Sequence, residues 1–332
     1  MNKKKVLSFR PLIFLEPYKE KYDIILVEPD SVKEDKNPHQ YIIDQINKHK
    51  PHAIYLSHFT FQFKEEQSFP HQFINNNLLS KIDKTNLKVI ANHGVGYDHI
   101  DAQACKDHNV IVTNTPDVLS DATADTAMFL ILNVARRFTE FEKRLRDGKW
   151  QGTPSVFGVD PKNKTLGIVG LGSIGNKLAE RAEAFGMNVI YHNRNKKDVD
   201  FEYCNKLEDL LSRSDFVSLN LPFSPQTKHL LDKSKLDHMK KGSYLINTSR
   251  GAIVDEQALV DKLKSGDLSG AGLDVFEKEP SIHPDLLTLP NCTLLPHVGS
   301  QTSDTRLEME KLAWDNIDAV LSGNGPITQC NK

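Results

Sequence analysis

The segment that decides the fold is Thr165-Leu-Gly-Ile-Val-Gly-Leu-Gly-Ser-Ile-Gly175. It joins an apolar, strand-like run to a helix-forming stretch at Asn176–Phe185, and its glycines have the spacing Gly170-x-Gly172-x-x-Gly175. In such a unit the first glycine makes a tight turn, the second lets the backbone approach a pyrophosphate, and the third lets helix and strand pack closely. The helix N-terminus adds unpaired N–H groups and partial positive charge. The sequence therefore predicts a β–α–β unit that binds a dinucleotide.

The strand after these glycines bears on which dinucleotide is bound. Folds that take NAD normally place an acidic residue at the end of this strand, but the stretch Val189-Ile-Tyr-His-Asn-Arg-Asn-Lys-Lys197 contains none. Arg194 can donate forked hydrogen bonds to a 2′-phosphate, and the alternative is a solvated basic loop that tolerates either cofactor. We predict that NADP(H) is preferred and that NAD(H) is the second choice. The predicted cofactor contacts in these two segments are Gly170, Gly172, Ser173, Ile174, Gly175, Asn193, Arg194 and Asn195.

Short apolar runs alternate with amphipathic segments along the chain, which is typical of α/β folds with doubly wound parallel sheets. A first series of strands is predicted at 6–9, 24–27, 53–56, 87–91 and 110–113. A second series is predicted at 166–169, 188–191, 216–219, 243–246, 270–275 and 293–295. We expect two Rossmann-like domains with an active-site cleft between them. Residues 1–116 would form the substrate (catalytic) domain and residues 117–297 the dinucleotide-binding domain.

Two long helices are predicted outside this alternation. Ala122 to Arg146 keeps helical spacing of apolar residues over its whole length, and its apolar face is wide. Such a helix is either deeply buried or packed against a second subunit. The last helix is predicted at Asp304–Leu321, and its apolar face is longer than the second strand series needs. We therefore assign residues 298–332 to a C-terminal helix that returns to the substrate domain.

Composition excludes several classes of function. The chain has 332 residues and a formal net charge of −2, which gives no reason to expect nucleic acid or an acidic membrane surface as partner. No apolar run approaches the roughly 20 residues that a bilayer-spanning helix needs. The four cysteines lie far apart and form no metal-binding pattern, so we predict no metal site and a cytoplasmic location.

Three polar residues follow successive predicted strands of the second series. They are Arg250, Glu279 and His297, and each one precedes a glycine or a proline within two residues. Since ligands of open α/β sheets bind beyond the carboxyl ends of the strands, we expect these side chains to meet beside the cofactor. Gly251 would leave the arginine room. Taken one at a time, a structural histidine, a solvated Glu-Pro turn and a helix-capping arginine are the alternatives.

These three groups suit hydride transfer to a carbonyl. The dinucleotide supplies the hydride, and the protein has to bind, orient and protonate the substrate. A 2-oxo acid has a carboxylate for Arg250 and a ketone oxygen that becomes negative in the transition state. His297 can give that oxygen a proton, and in the reverse direction it acts as the base. A neighbouring Glu279 would orient the ring and favour its charged form.

Three longer segments resemble the D-isomer-specific 2-hydroxyacid dehydrogenase family. Met239–Asp255 is similar to its arginine signature, Gly94–Asp101 to its substrate loop, and Asn114–Asp125 to the segment that crosses between its domains. The resemblance implies a homodimer, and a small 2-oxo or 2-hydroxy acid as substrate. It also implies that the amides of Val95 and Gly96 hold the substrate carboxylate. The further cofactor contacts that it implies are Thr123 at the phosphate, Leu221, Pro222 and Thr227 near the adenine, and Thr248 and Asp274 at the nicotinamide.

Within the family, Tyr191–Arg194 and Pro116–Asp121 most resemble the glyoxylate/hydroxypyruvate reductase branch. Some reductases of that branch carry a second tryptophan shortly after the one matching Trp150, whereas here Thr153 stands near that place. This departure favours bulkier or branched 2-oxo acids. The alternative function is a dinucleotide-sensing binding protein similar to the corepressors that share this fold. Such corepressors usually carry a long tail beyond the last helix, so the enzyme is the favoured prediction.

Overall fold

The computed structural model describes residues 3–14, 16–28, 38–58, 72–150 and 157–332. The chain divides into two compact units. Unit 1 comprises Met1–Leu119 and Thr302–Lys332, and unit 2 comprises Ser120–Gln301. The predicted limits at 116 and 297 lie a few residues before these boundaries.

Unit 1 is built on a five-stranded sheet in the order β2-β1-β3-β4-β5, and all of its strand pairs are parallel. Its strands are β1 (Lys4–Ser8), β2 (Tyr22–Leu26), β3 (Ala53–Leu56), β4 (Val89–Asn92) and β5 (Ile111–Thr113). Its helices are α1 (Glu16–Lys19), α2 (Pro38–His49), α3 (Asn76–Lys81), α4 (Ala102–Asp107) and, from the end of the chain, α12 (Ser303–Ser322). The first series of strands is thus found where it was predicted, within two residues at each end.

The sheet of unit 1 is buried on both faces because its strands alternate between two apolar clusters. Val6 packs in the cluster that contains Trp314, whereas Leu7 packs in the opposite cluster with Ile42. Successive side chains of a strand point to opposite faces, so a strand covered on both sides needs an unbroken apolar run. The covering of both faces explains why the sequence shows continuous apolar stretches instead of alternation.

The last helix, α12, covers one face of this sheet, as predicted. Trp314 is fully buried, and its ring stacks on Tyr18 with the ring centres 5.2 Å apart. Glu310, also fully buried, accepts a hydrogen bond from the amide of Ile13 at 2.8 Å. The helix begins after Thr302, whose side chain accepts from the amide of Thr305, a common N-cap. Packing against the sheet therefore makes the C-terminal helix part of the core of unit 1.

Unit 2 is built on a seven-stranded parallel sheet in the order β12-β11-β10-β9-β6-β7-β8. Its strands are β6 (Thr165–Val169), β7 (Asn188–His192), β8 (Glu202–Tyr203), β9 (Phe216–Leu219), β10 (Ser243–Asn247), β11 (Leu268–Leu273) and β12 (Cys292–Leu294). The strand order reverses between β6 and β9, and ligands of such sheets bind at this reversal. The predicted strands agree within one residue at each end, with two exceptions: β8 was not expected, and β11 begins and ends two residues earlier.

The helices of unit 2 are α5 (Ser120–Arg136), α6 (Phe138–Arg146), α7 (Ser173–Ala184), α8 (Leu207–Arg213), α9 (Lys233–Asp237), α10 (Glu256–Ser265) and α11 (Pro284–Thr288). A 3₁₀ turn at Gly251–Ile253 precedes α10. The prediction of one helix from Ala122 to Arg146 was wrong, because Arg137 has a left-handed backbone (φ +56°) that ends α5. Asn133 stabilises the break: its side-chain oxygen accepts from the amide of Thr139 at 3.0 Å.

None of the helices in the described ranges is long and apolar enough to cross a bilayer. All four cysteines lie within those ranges and are unpaired. Burial raises the pKa of Cys105 to about 12 and that of Cys292 to about 12. These thiols are therefore protonated at neutral pH, which argues against a nucleophilic role.

Replacement of Trp314 by alanine tests whether α12 is part of the unit 1 core. We expect Trp314→Ala to lower the free energy of unfolding by about 3–5 kcal/mol, because it removes a fully buried aromatic side chain. Trp150, the only other tryptophan, is 79% exposed, so Trp150→Ala is the matched control and should change stability little. Urea unfolding followed by circular dichroism measures both. Equal stability of the two variants would contradict the assignment of α12.

Candidate active site

The glycine loop, Gly170–Gly175, has the shape that a dinucleotide requires. Gly170 has φ +99°, and a Cβ atom there would lie 2.5 Å from the carbonyl oxygen of Asn220. A Cβ atom on Gly175 would lie 2.4 Å from the carbonyl oxygen of Gly170. At Gly172, by contrast, no atom lies within 4 Å of a Cβ position. The outer glycines therefore make close internal contacts, whereas the central one faces open space at the start of α7, where a pyrophosphate would approach.

The residues predicted to bind the rest of the cofactor also shape this loop. Asn193 accepts a hydrogen bond from the amide of Leu171 at 2.7 Å, which ties the end of β7 to the glycine loop. The side chain of Leu221 lies against Gly170. The Thr227 hydroxyl donates to the carbonyl of Pro222 at 2.9 Å. These contacts hold the segment after β9 beside the glycine loop, at the reversal of strand order.

The loop that follows β7 is basic and exposed. Arg194, Asn195, Lys196 and Lys197 are all exposed, and Arg194 forms no ion pair with any described residue. The hydroxyl of Tyr191 accepts from the amide of Lys197 at 2.9 Å, which curls the loop back over the strand. This loop therefore presents cations, and no carboxylate, directly after the second strand.

Two buried side-chain oxygens near the carboxyl edge of the sheet have no hydrogen-bond partner among the described residues. They are the Thr248 hydroxyl, after β10, and the side-chain oxygen of Asn220, after β9. A buried polar atom without a partner is costly, so such atoms commonly mark the place of a bound group. Thr123 is buried beside Gly299, about 3.5 Å from where a Cβ atom of that glycine would lie. The residues present thus fit a dinucleotide.

Glu279 and His297, both at the carboxyl edge of unit 2, form a hydrogen-bonded pair. The Nδ1 atom of His297 lies 2.8 Å from Oε2 of Glu279. The other carboxylate oxygen of Glu279 accepts from the amide of Phe276 at 3.0 Å. Both side chains are mostly buried, with 21% of His297 and 11% of Glu279 exposed. One carboxylate oxygen thus orients the imidazole, and the other is fixed to the backbone.

Asp274 holds the segment that carries the histidine. Its two carboxylate oxygens accept from the amides of Val298 and Gly299, each at 2.7 Å. Asp274 is 1% exposed, and burial raises its pKa, while the two amides and the nearby His297 oppose that rise. His297 itself has a left-handed backbone, φ +55°. Asp274 was predicted as a nicotinamide contact, and the structure adds a second task, which is to hold this strained turn in place.

Arg250 lies three residues beyond β10, at the start of the 3₁₀ turn. Its backbone carbonyl accepts from the Asn247 side chain at 2.9 Å, and its guanidinium donates to the carbonyl of Ser249 at 2.8 Å. A Cβ atom on the next residue, Gly251, would lie 1.9 Å from the carbonyl carbon of Phe276. The expectation that Gly251 leaves room for the arginine therefore needs correction, because its small size is required by the backbone of Phe276.

The substrate loop predicted from the resemblance lies in unit 1, directly after β4. The side chain of Asn92 donates to the carbonyl of Gly94 at 2.9 Å and to that of Gly96 at 3.0 Å. Asn114 donates to the carbonyl of Val95 at 2.9 Å. With the carbonyls held this way, the amides of Val95 and Gly96 have no acceptor among the described residues. A turn whose amides are unpaired is a site for an anion.

Sequence reasoning missed one residue close to the Glu279–His297 pair. Glu256, the first residue of α10, is 8% exposed and accepts from the amide of Glu277 at 2.6 Å. From sequence alone it looks like an ordinary acidic residue in the first turn of a helix. Thr153, on which the substrate-size prediction rested, lies outside the described residues.

The arrangement in unit 2 combines three chemical capacities. The glycine loop offers backbone N–H groups to a phosphate, and Arg250 offers a cation anchored at the backbone. The imidazole of His297 has one ring nitrogen turned to a carboxylate, which leaves proton transfer to the other nitrogen. This combination suits proton-coupled hydride transfer between a dinucleotide and an anionic substrate.

Comparison with known proteins agrees with this chemistry. Residues 128–299 match the family model described as the D-isomer specific 2-hydroxyacid dehydrogenase, NAD binding domain. A glyoxylate reductase from Thermococcus litoralis is 46% identical over 257 residues, which cover 74% of this chain and 77% of that protein. A 4-methyl-2-oxopentanoate reductase A from Aspergillus oryzae is 40% identical over 255 residues, covering 76% of this chain and 77% of that protein.

A solved structure is similar over nearly the whole chain. It is an NADPH-dependent glyoxylate/hydroxypyruvate reductase from Sinorhizobium meliloti, in complex with NADP and malonate. The identity is 32%, the TM-score is 0.83, and the match covers 99% of this chain and 97% of that chain. A likeness of this extent includes both units and the glycine loop.

Substitution of Gly251 tests the close backbone contact beneath Arg250. We expect Gly251→Ala to destabilise the protein by about 1–3 kcal/mol and to reduce turnover, because the added methyl group must push the Phe276–Glu277 backbone away. Gly172→Ala is the matched control: its methyl group would meet no protein atom, so stability should be unchanged while dinucleotide affinity falls. Urea unfolding and fluorescence titration with the dinucleotide measure the two effects. Normal stability and turnover in Gly251→Ala would contradict the contact.

Proposed function

The chain belongs to the D-isomer-specific 2-hydroxyacid dehydrogenase family, in its glyoxylate reductase branch, and from this premise we propose the following roles and substrates. As a member it is an NAD(P)-dependent oxidoreductase that reduces small 2-oxo acids to 2-hydroxy acids. We propose glyoxylate and hydroxypyruvate as its substrates, and the D-isomer as the product wherever the 2-hydroxy acid is chiral, as it is for hydroxypyruvate. The observation that carries the assignment of roles is the 2.8 Å contact between Glu279 and His297.

We assign proton delivery to His297. The nicotinamide, when bound, supplies the hydride that reaches the substrate carbonyl carbon. Because Nδ1 of His297 faces Glu279, its Nε2 atom is the one that would give a proton to the carbonyl oxygen. The carboxylate of Glu279 keeps the ring in one orientation. In the oxidation direction the same atom would accept the proton.

We assign substrate anchoring to Arg250. Its guanidinium would clamp the carboxylate of the 2-oxo acid and stabilise negative charge on the carbonyl oxygen. In unit 1, the amides of Val95 and Gly96 are the proposed partners of a substrate carboxylate, which their unpaired state supports. Thr248 and Asp274 are the proposed contacts of the nicotinamide, and Thr123 is the proposed contact of a phosphate.

We propose that NADP(H) is preferred over NAD(H). The support is the exposed basic loop after β7, in which Arg194 has no carboxylate partner among the described residues. A 2′-phosphate would gain charge-assisted hydrogen bonds there, whereas an acidic residue at this place would repel it. The structurally similar Sinorhizobium reductase is an NADPH-dependent enzyme with NADP bound.

We further propose that the protein is a cytoplasmic homodimer that works without nucleic acid or membrane. The helix pair α5–α6 exposes large apolar side chains, with Phe129 46%, Phe138 48% and Leu145 53% exposed. Several exposed apolar side chains on one helix pair support a subunit interface there, because contact with a second copy would remove them from water. The net charge of −2 offers a polyanion no attraction.

A bulkier 2-oxo acid is the second candidate substrate. The resemblance to 4-methyl-2-oxopentanoate reductase A supports it, since that protein is 40% identical. The corepressor alternative receives no support, because the relatives and the structure compared above are all reductases. The relatives named above therefore agree on the reaction, and they differ in the size of the 2-oxo acid after which they are named.

Turnover of a substrate panel by the intact protein and by His297→Gln tests the function. We expect NADPH-dependent reduction of glyoxylate and hydroxypyruvate, and a kcat for His297→Gln about a hundred-fold lower, because loss of a general acid typically costs at least that much. Including 4-methyl-2-oxopentanoate in the panel decides between the small and the branched substrate. The readout is NADPH absorbance under steady-state conditions.

His108→Gln is the control for this variant, because His108 contacts Asn76 at the surface of unit 1. It should turn over like the unmodified protein. If the intact protein turned over no 2-oxo acid in the panel, the proposed reductase function would be contradicted. Near-normal turnover by His297→Gln would contradict only the assignment of His297 as the proton donor.

Arg194→Ala tests the cofactor preference. We expect kcat/KM for NADPH to fall about ten-fold or more while that for NADH changes little, because one charge-assisted hydrogen bond is worth roughly 1.5–3 kcal/mol. Arg213→Ala is the matched control, since Arg213 is also exposed in unit 2 but is paired with Glu202 at 2.7 Å. A strong preference of the intact protein for NADH would contradict the role of Arg194.

A further inference from the structure

The turn that carries Glu279 is held by three separate elements of unit 2. This turn, Phe276–Glu279, follows β11 and leads into the Glu279–Pro280 peptide. Gly251 lies against its first two residues, so closely that a Cβ atom would be 2.3 Å from the amide nitrogen of Glu277. Glu256 accepts from that same amide at 2.6 Å. The ring of His229 lies 2.9 Å from the carboxylate of Glu277.

Each of these contacts has a defined origin in the backbone. Glu256 is the first residue of α10, whose N-terminus is capped by the side chain of Asp255. A carboxylate in this position is favoured by the helix dipole. His229 is attached to the same region, because its amide donates to the carbonyl of Ala252 at 2.9 Å. The turn is therefore docked on the 3₁₀ turn and the start of α10, the segment that begins with Arg250.

Among the three, only Glu256 bonds to the backbone of the turn through its side chain. Its hydrogen bond goes to the amide of Glu277, the residue after Phe276, and the amide of Phe276 donates to Glu279. Two successive amides are thus taken by two carboxylates. If Glu256 is removed, the Glu277 amide loses its acceptor in a partly buried place, and the turn is expected to move to satisfy it. Glu279 would move with the turn, because it is bonded to the adjacent amide.

We propose that Glu256 is a positioning residue for the Glu279–His297 pair, fixing the turn from which Glu279 orients the imidazole. This inference rests on the proposed role of His297 as proton donor. Glu256 does not contact His297, so it acts only through the placement of Glu279. A shift of that carboxylate would change how well His297 is oriented, because the two groups are hydrogen-bonded at 2.8 Å.

The electrostatic surroundings of Glu256 fit this role. Burial raises the pKa of Glu256, and the Glu277 amide opposes the rise; the carboxylates of Glu277 and Glu279 add to it, and His283 lowers it. On the other side, His297 faces Glu279 and Asp274. The ionisable side chains that these contacts place around the turn in unit 2 include Glu256, Glu277, Glu279, Asp274, His229 and His283.

Three substitutions of Glu256 separate position from charge. Glu256→Gln keeps an acceptor oxygen at the same reach, Glu256→Asp keeps the charge but withdraws the oxygen by one methylene, and Glu256→Met removes the acceptor. We expect Gln to preserve reduction of glyoxylate with NADPH within about two-fold. Asp and Met should lower kcat about ten-fold to a hundred-fold, because small misplacements of catalytic groups cost this much. The KM for NADPH should not change.

The pH profile of kcat/KM provides a readout that general destabilisation would not move. In Glu256→Asp and Glu256→Met, the pH profile should differ from that of the intact protein, because Glu279 is displaced from its contact with the imidazole. In Glu256→Gln it should stay near that of the intact protein. If Glu256→Met does not fold, the contrast between Asp and Gln decides the question.

Asp215 supplies the matched control. It also accepts a backbone amide, that of Thr165 at 2.9 Å, but it lies just before β9, at the opposite edge of the sheet. Asp215→Leu should lower stability without shifting the pH profile.

The inference is overturned if all three Glu256 variants match the intact protein, if Glu256→Gln is damaged as much as Glu256→Asp, or if Asp215→Leu shifts the profile equally. Failure of the proposed function would look different. The intact protein would then show no turnover, or His297→Gln would retain it.

Discussion

The contact between Gly251 and the backbone of Phe276 and Glu277 is the constraint on which the placement of the candidate catalytic segments of unit 2 depends. At this point the segments after β10 and β11 touch backbone to backbone, with no side chain between them. Arg250 immediately precedes the contact on one segment, and Glu279 follows it by two residues on the other. The relative placement of a cation and a carboxylate is thus set by main-chain packing, which is stiffer than any side-chain contact.

The same edge of the sheet shows how acidic side chains can serve as structural acceptors. Asp274, Glu279 and Glu256 each accept at least one hydrogen bond from a backbone amide in the loops at this edge. Loops at the ends of strands have lost the amide partners that a sheet provides, so carboxylates replace those partners. Burial makes each of these charges costly, and the amides offset that cost only in one loop geometry. The buried carboxylates therefore keep their hydrogen bonds only when the loops hold well-defined positions.

Much of this architecture was predictable from the sequence because it rests on local patterns. Continuous apolar runs gave the strands of both sheets, and the spacing of Gly170, Gly172 and Gly175 gave the dinucleotide loop. The approach of Glu279 to His297 followed from the rule that the carboxyl ends of parallel strands share one edge. The first two inferences need only the residues within one strand–loop unit, and the third needs only the order of residues along two parallel strands.

The features that were missed depend on side-chain and backbone contacts that a sequence pattern does not show. The break at Arg137 is stabilised by Asn133, whose polar side chain looks like an ordinary helical residue in the sequence. Glu256 likewise reads as a helix N-terminal acid until its partner, the amide of Glu277, is known. Gly251 has a negative φ, so only the neighbouring backbone, and no turn, requires a glycine there. A one-dimensional pattern identifies which residue types stand at a strand end, whereas the backbone that they hold becomes visible only in the fold. It follows that residues that would contact a ligand are the easiest to find from sequence. The residues that hold these ligand-contacting residues in place are the easiest to miss.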